Sequence, residues 1–297
     1  MRQFILGTDW WTDCDDVIAL RLLARAHKSG AIRLLGVGIN ACMDRSVASL
    51  DGFLQCEGIA DIPLGIDTEA TDFGGKPPYQ ARLALLSKQH TANEDAEDLL
   101  RFYRRLLAEA TQPVELIEIG YMQGIAALLD SPADDLSPMN GTELVKAKVQ
   151  KIWMMAGKWD VPEGKENNFS RNERTSRGAA RICASCPVPI TFLGHEIGAS
   201  VLVGGDLGEN DPLYGALTDY GTPQGRCAWD PMLVQMAIIG DEAAAGYDTV
   251  CGTASVDAET GVNRFRRHPD GLHRYVVKTR PDEAYAKEIN ALIATKE

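Results

Sequence analysis

Residues 4–26 read FILGTDWWTDCDDVIALRLLARA. The first five of these residues are apolar or small and predict a buried β-strand, whereas residues 17–26 have the apolar spacing of a helix that packs on a sheet. A polar turn that contains four aspartates joins the two segments. A strand that passes through a short turn into a helix is the repeating unit of α/β proteins, so this segment predicts that fold class.

The same pattern recurs along most of the chain. Strands are expected at residues 4–8, 33–40, 114–120, 151–157 and 189–194. Helices are expected at residues 17–26, 45–56, 124–129, 175–183 and 197–203. This alternation predicts an α/β fold with a Rossmann-like, mostly parallel open sheet flanked by helices. No low-complexity linker or internal repeat interrupts the pattern, so we expect a single domain over residues 1–297.

Composition and charge exclude several classes of protein. The net charge is −12, and no dense run of lysine and arginine occurs, so we do not expect the protein to bind nucleic acid. The seven cysteines are odd in number and scattered, unlike the framework of a disulfide-rich secreted domain. No secretory signal precedes the first strand, and no apolar run approaches about 18 residues. We therefore expect a cytoplasmic protein without a membrane segment.

Four of the predicted strands end in small or polar residues, namely Thr8-Asp9, Asn40, Gly120 and Gly157. The carboxyl ends of parallel strands meet at one edge of a sheet, and open α/β sheets bind their ligands at that edge. The polar segments 68–78 and 158–174 are too long for tight connections. We interpret both segments as active-site loops at this edge.

The turn after the first strand holds Asp9, Asp13, Asp15 and Asp16 within eight residues. Asp13 could cap the following helix, and Asp15 and Asp16 could stabilise the positive end of its dipole. Capping does not account for Asp9, because neighbouring carboxylates repel one another unless a proton or a cation intervenes. Oxygen atoms are the ligands of hard divalent cations. The residues alone leave open two interpretations, a metal site and a charged helix start.

Further segments follow in a consistent order. They are IGYMQGIA at 119–126, MMAG at 154–157, ENNF at 166–169, LGHEIG at 193–198 and AWDP at 228–231. Together with the acidic turn, they resemble the motifs of the inosine-uridine-preferring nucleoside hydrolase family over about residues 4 to 240. The resemblance implies the nucleoside hydrolase fold. It also implies hydrolysis of the N-glycosidic bond of a ribonucleoside or related ribosyl compound.

The resemblance also implies a metal site and its ligands. The expected ion is Ca²⁺, bound by Asp9, Asp16, Asp230 and the backbone carbonyl of Gln123. The ion would activate a bound water molecule as the nucleophile, and Asp9 would also take its proton as general base. The residues implied to bind a nucleoside or riboside are Asp15, Asn40, Asp160, Glu166, Asn168 and Trp229. We expect a homodimer or a homotetramer.

The chain departs from the family pattern at several positions. Gly7 occupies the place of the first aspartate, and Trp10 and Trp11 replace Pro-Gly. Trp229 stands where many members have a histidine, and an indole cannot protonate a leaving base. His195 is the candidate acid in its place, since imidazole titrates near neutral pH, although a structural role is the alternative.

These departures keep a second function open. The alternative is a binding protein for ribosyl ligands that has lost turnover or changed its specificity on the same scaffold. We expect at least one of Trp10, Trp159 and Trp229 to line the leaving-group pocket, because base stacking needs aromatic faces. Cys183 and Cys186 have the spacing of a redox or zinc motif, but no second cysteine pair accompanies them. We interpret them as part of the fold.

Overall fold

The computed structural model describes residues 1–294. A ten-stranded sheet runs through the molecule, and a two-stranded antiparallel ribbon lies beside it. The strands of the sheet are β1 (Gln3–Thr8), β2 (Arg33–Ile39), β3 (Leu64–Ile66), β4 (Glu97–Asp98), β5 (Val114–Glu118), β6 (Val149–Met155), β7 (Ile190–Leu193), β10 (Tyr247–Val256), β11 (Asn263–Arg267) and β12 (His273–Lys278). The ribbon consists of β8 (Leu202–Val203) and β9 (Arg226–Cys227).

Helices cover both faces of this sheet. They are α1 (Asp15–Lys28), α2 (Ser46–Glu57), α3 (Gln80–Ala84), α4 (Leu99–Glu109), α5 (Gln123–Asp130), α6 (Gly141–Lys148), α7 (Asn167–Ser170), α8 (Glu173–Ser185), α9 (His195–Gly198), α10 (Pro212–Tyr220), α11 (Trp229–Ile239) and α12 (Asp282–Ile293), with a short 3-10 turn at Asn93–Asp95. Within residues 1–294, none of the helices has the length and apolar character that crossing a bilayer requires.

The strand order in the sheet is β11-β10-β12-β7-β6-β5-β1-β2-β3-β4. Strand β10 is antiparallel to both of its neighbours, and the other neighbouring pairs are parallel. The predicted mostly parallel open sheet is therefore confirmed. The chain adds β2 to β4 on one side of β1 and β5 to β7 on the other, so the strand order reverses between β1 and β5. In such sheets the ligand crevice lies at this reversal.

The alternation of side chains along β1 explains why this strand lies at the centre. Phe4 and Leu6 point into one apolar cluster, whereas Ile5 points into the cluster on the opposite face. The first cluster packs against α1, α2, α11 and α12, and the second packs against α4, α5, α6 and α8. Burial on both faces is the usual condition of a parallel sheet, and it holds the carboxyl end of β1 in a fixed position.

One predicted helix is wrong. Residues 197–203 were expected to be helical, but α9 ends at Gly198 and residues 202–203 form β8. A Cβ atom on Gly198 would lie 2.6 Å from the Trp229 Cα atom, so α11 packs directly against this turn. The branched side chains of Val201 and Val203 are buried, and β-branched residues suit an extended backbone that pairs with β9.

Candidate active site

A cleft of about 280 Å³ opens at the carboxyl edge of the sheet, where the strand order reverses. It is bounded by the segments that follow β1, β5 and β6 and by the first turn of α11. Its lining residues are Asp9, Trp11, Asp13, Asp15, Asp16, Ile119, Met155, Glu166, Asn167, Asn168, His195, Arg226, Trp229 and Asp230. Six of the fourteen carry a carboxylate, so the cleft is strongly acidic.

A strained residue turns the chain away from Asp9. Trp10 has φ = 45°, in the left-handed region that non-glycine residues seldom adopt. Its fully buried indole donates from Nε1 to Ser49 Oγ at 2.8 Å, and Gln80 Nε2 donates to its carbonyl oxygen at 2.7 Å. Such strain persists only where surrounding contacts hold it in place. These contacts fix the direction in which the chain enters the acidic turn.

The acidic turn and α11 bring five aspartates into the cleft. Carboxylate oxygens of Asp13, Asp15 and Asp16 lie within 4.8 Å of one another. Asp15 Oδ2 accepts a hydrogen bond of 3.4 Å from the backbone nitrogen of Asp230, which joins α11 to the turn. Asp9 follows β1 directly and lines the same cleft. Asp9, Asp15, Asp16 and Asp230, all expected at one site, thus line one cleft together with Asp13.

The carboxylates of this cluster destabilise one another when they are ionised. Burial and then the charge of Asp16 raise the pKa of Asp9 well above its usual value. Burial and the same neighbour also raise the pKa of Asp230. Among the described residues that line the cleft, Arg226 is the one lysine or arginine, and it pairs with Asp13 at 3.0 Å. One guanidinium does not neutralise this many carboxylates, whereas a hard divalent cation accepts several carboxylate oxygens.

The alternative interpretation of the turn as a charged helix start holds for Asp15 and Asp16 but not for Asp13. Helix α1 begins at Asp15, and its N-cap residue is Cys14, whose side chain makes no capping hydrogen bond. Asp13 is therefore not the cap, and its carboxylate faces Arg226 instead. Asp15 and Asp16 do lie in the first helical turn, where the dipole favours negative charge.

A buried carboxyl group lies beneath the cleft, and sequence reasoning missed it. Glu118 on β5 is the register partner of Gly7 on β1. A Cβ atom on Gly7 would lie 2.2 Å from Glu118 Oε2, so Glu118 occupies the space that a side chain at position 7 would need. Burial raises the pKa of Glu118 to about 8. An acid at the end of a buried strand was the available signal.

Three predicted site residues lie outside the lining of the cleft. Asn40 is buried, and its amide donates to Glu118 Oε1 at 2.8 Å and accepts from the Tyr121 nitrogen at 2.8 Å. Gln123 begins α5 and donates from Nε2 to the Asn40 carbonyl at 2.5 Å. Asp160 is exposed and pairs with Lys158 at 2.8 Å. Asn40 and Gln123 thus form hydrogen bonds that connect the ends of β2 and β5 outside the cleft.

The segment 158–174 contributes two of the predicted substrate-binding residues to the cleft. Glu166 accepts hydrogen bonds from the backbone nitrogen atoms of Asn168 at 2.7 Å and Gly157 at 3.0 Å. The Asn168 amide donates to the Met155 carbonyl oxygen at 2.9 Å and to that of Ile119 at 3.2 Å. These bonds tie the segment to the ends of β5 and β6.

The two segments interpreted as active-site loops meet beside Trp11. Trp11 Nε1 donates to the Gly74 carbonyl oxygen at 2.5 Å. The Arg171 guanidinium lies 4.4 Å from the centroid of the Trp11 ring and donates to the Phe73 carbonyl oxygen at 2.7 Å. Segment 158–174 lines the cleft directly, whereas segment 68–78 contacts it through Trp11, which is a lining residue.

The tryptophans divide between the core and the cleft. Trp10 and Trp159 are buried, whereas Trp229 lines the cleft beside His195, with ring centroids 5.2 Å apart. The indole of Trp229 donates its N–H to the His195 carbonyl oxygen at 2.8 Å. Burial lowers the pKa of His195, with a further contribution from the charge of Lys158. The imidazole is thus mainly neutral at pH 7.

Arg226 and Asp13 are the cleft residues of clear chemical interest that sequence reasoning did not select. Asp13 had a signal, since it lies within the acidic turn. Arg226 had none, because it lies on β9, a two-residue strand whose pairing with β8 follows from no sequence pattern.

No family sequence model matches the chain, and no curated protein matches it in sequence. Solved structures match nearly its whole length. A plant nucleoside hydrolase superposes with a TM-score of 0.72 at 16% identity, with 98% of each chain covered. The inosine-uridine preferring nucleoside hydrolase from Bacillus anthracis gives a TM-score of 0.68 at 13% identity, with 99% of each chain covered. The chain has the nucleoside hydrolase fold.

A third structure of the nucleoside hydrolase fold comes from a different functional setting. The type III effector protein XopQ, complexed with adenosine diphosphate ribose, superposes with a TM-score of 0.70 at 17% identity. The match covers 98% of this chain and 92% of the effector. At identities this low the comparisons establish the architecture, and the activity has to be argued from the cleft.

Proposed function

We propose that this protein hydrolyses the N-glycosidic bond of a ribonucleoside or a related ribosyl compound and that it requires Ca²⁺. The observation that carries this proposal is the convergence of five aspartates with Glu166 and Asn168 in one cleft at the strand-order reversal. Cleavage passes through a sugar with oxocarbenium character, which needs an activated water on one side and carboxylates nearby. Solved structures named as nucleoside hydrolases share the fold.

The donor set fits a hard cation. The proposed ligands are Asp9, Asp16, Asp230 and the Gln123 carbonyl. Gln123 is not among the residues that line the cleft. Asp13 and Asp15 do line it, and their carboxylate oxygens lie within 4.8 Å of that of Asp16, so they are additional candidate ligands. Ca²⁺ supplies positive charge that lowers the pKa of water and offsets the repulsion of the carboxylates.

The side chains of the cleft have separate proposed roles as general base, ribose contacts and proton donor. Asp9 accepts the proton of the attacking water, because a carboxylate within reach of the water is a competent general base. Asp15, Glu166 and Asn168 bind the ribose hydroxyl groups. Asn40 and Asp160, outside the cleft lining, are proposed as further ribose contacts that need movement of their surroundings. His195 is the candidate proton donor, and Trp229 borders the base.

The direct test is a panel of ribosides incubated with the calcium-loaded protein. The panel contains inosine, uridine, adenosine and p-nitrophenyl riboside, and chromatography measures the free base or phenol together with free ribose. Release of base with an equal amount of ribose supports hydrolysis. Tight binding of a riboside without any release contradicts the proposed activity.

One observation favours the second candidate function, a protein that binds ribosyl ligands without turnover. The Trp229 indole donates its only N–H to a backbone carbonyl, so this side chain offers no proton to a leaving base. The XopQ structure holds adenosine diphosphate ribose on the same fold. Calorimetry with ribosides and with adenosine diphosphate ribose distinguishes the two functions when it is combined with the panel.

We expect chelation of calcium to lower the melting temperature by about 5 °C or more at pH 8, because ligand binding stabilises the folded state. The loss should be smaller at pH 5.5. Burial, and next the charge of Asp13, raises the pKa of Asp16 to about 7. A folded-state pKa above the unfolded value means that the chelated protein loses stability as pH rises from about 4 to 7. An unchanged melting temperature at both pH values would argue against a structural cation.

The variant Asn168→Ala should chiefly weaken substrate binding. Removing an uncharged hydrogen-bonding group costs roughly a factor of 3 to 10, so KM should rise by about that amount while kcat stays within about threefold. Because the Asn168 amide also binds the Met155 carbonyl oxygen, a modest drop in melting temperature should accompany the change. A loss confined to kcat would remove Asn168 from the proposed ribose contacts.

The substrate is proposed to be a small molecule. Assembly as a homodimer or homotetramer and a cytoplasmic location stay predictions from the sequence. Sedimentation analysis of the purified protein measures its oligomeric state directly.

A further inference from the structure

Arg226 is held rigidly at the cleft. Its guanidinium donates to Asp13 at 3.0 Å and lies 5.0 Å from the ring centroids of both Tyr220 and Trp229. The side chain is 18% exposed, and among residues 1–294 its buried Nε atom has no hydrogen-bond partner. A buried N–H without an acceptor is costly. Arg226 is thus a fixed positive charge with a donor that protein atoms do not satisfy.

The proposed reaction requires a group that stabilises the departing base. When the glycosidic bond breaks, its electron pair passes to the base, which must then gain a proton or a nearby positive charge. The Trp229 N–H is already donated to the His195 carbonyl oxygen, and the imidazole of His195 is mainly neutral. Both oxygens of Glu166 accept hydrogen bonds from backbone nitrogen atoms, of Gly157 and Asn168, while burial raises the pKa of this carboxyl group to about 7. None of these three side chains supplies a permanent positive charge to the departing base.

The geometry points to Arg226 as a further catalytic residue, whose guanidinium stabilises the departing base as an anion. This inference rests on the proposed function. The bond between C1′ and the base nitrogen breaks, and its electron pair stays on the base. A bond forms between C1′ and the water oxygen, and the water proton passes to Asp9. Solvent protonates the base after it leaves, so atoms and charge balance.

The contact with Trp229 places Arg226 near the expected position of the base. Trp229 directly precedes Asp230, one of the aspartates of the cluster, and its ring contacts the guanidinium. A base that borders Trp229 therefore lies near Arg226. A guanidinium remains charged at every relevant pH, and its several N–H donors suit an anionic heterocycle. The substrate class is then a riboside whose uncharged base departs as an anion.

A purely structural role for Arg226 is the competing explanation, since it also pairs with Asp13. The two roles predict different losses of activity when Arg226 is substituted. In the catalytic role the loss depends on the charge of the leaving group, and in the structural role it does not. Inosine releases an anionic base unless it is protonated. Nicotinamide riboside carries a pyridinium cation and releases neutral nicotinamide, which needs no stabilisation by a positive charge.

The experiment compares kcat/KM for inosine and nicotinamide riboside in calcium-loaded wild type, Arg226→Gln, Arg226→Lys and the control Arg266→Gln. Glutamine retains a donor for Asp13, and Arg266 is an exposed residue on β11, outside the cleft. Arg226→Gln should lower the value for inosine by about 10²-fold or more, as for loss of one preorganised donor. The value for nicotinamide riboside should change by less than about fivefold. Arg226→Lys should recover part of the loss with inosine, and Arg266→Gln should match wild type.

Equal losses with the two substrates, or no loss with inosine, would overturn the role of Arg226 and leave the proposed function intact. If wild type cleaves neither substrate nor any member of the riboside panel, the proposed function itself fails. Melting temperatures of the four proteins identify any loss that comes from unfolding.

Discussion

Asp9→Asn should reduce kcat for every riboside that the wild type cleaves by at least about 10³-fold. General bases contribute roughly 10² to 10⁴ in rate, and an amide cannot accept the proton of water. Asp9 is 8% exposed, and burial and the charge of Asp16 raise its pKa. Removing one of the mutually repelling charges should leave the protein folded, so the loss is expected in kcat at unchanged or higher melting temperature of the metal-free protein.

The matched control is Asp248→Asn, which removes a carboxylate from an exposed position on β10. Calcium binding to each variant, measured by calorimetry, separates the role of Asp9 as a ligand from its role as a base. Turnover should be assayed at calcium concentrations that saturate the variant. If Asp9→Asn then turns over at a rate comparable to that of wild type, another group accepts the proton.

The second large effect concerns the leaving group. Without an efficient proton donor the rate depends steeply on the acidity of the departing group. We therefore expect p-nitrophenyl riboside to be cleaved at least about 10² times faster than inosine. Stabilisation of an anion by Arg226 reduces this dependence without removing it, since the base still leaves without its proton. The measurement is kcat for each substrate at saturating concentration.

His195→Ala completes this test. If His195 is the acid, its loss should lower the rate for inosine by about 10²-fold and leave p-nitrophenyl riboside nearly unaffected. The lowered pKa of His195 and the role inferred for Arg226 predict less than about a threefold loss with either substrate. Equal wild-type rates for p-nitrophenyl riboside and inosine would reveal an efficient donor other than those considered.

The centre of the fold could be predicted from sequence because its signals are local. The apolar run of β1 and the periodicity of α1 act over a few residues, and the predicted strands near 33, 114, 151 and 190 lie where expected. Strands β3 and β4 have three and two residues, too few to produce a pattern. The antiparallel strands β10 to β12 follow one another without intervening helices, so the expected alternation did not reveal them.

The site could be predicted only as far as strand ends locate it. Asp9 and Asp230 share the cleft because each lies at the end or start of an element that reaches the same edge. The direction of a side chain depends on partners far along the chain. Asn40 turns toward Glu118, and Arg226 pairs with Asp13 across 213 positions. No local sequence pattern contains either contact.

The contact between Gly7 and Glu118 limits the order in which these two positions can be substituted. The two residues are neighbours across β1 and β5, and the carboxyl group of one fills the volume that the other leaves empty. A side chain at position 7 is therefore possible only after Glu118 has been replaced by a smaller residue. Shortening Glu118 requires no earlier change at Gly7, because glycine has no side chain to clash with. The two positions can thus be exchanged in one order only, and an acid on β1 requires the prior loss of the acid on β5.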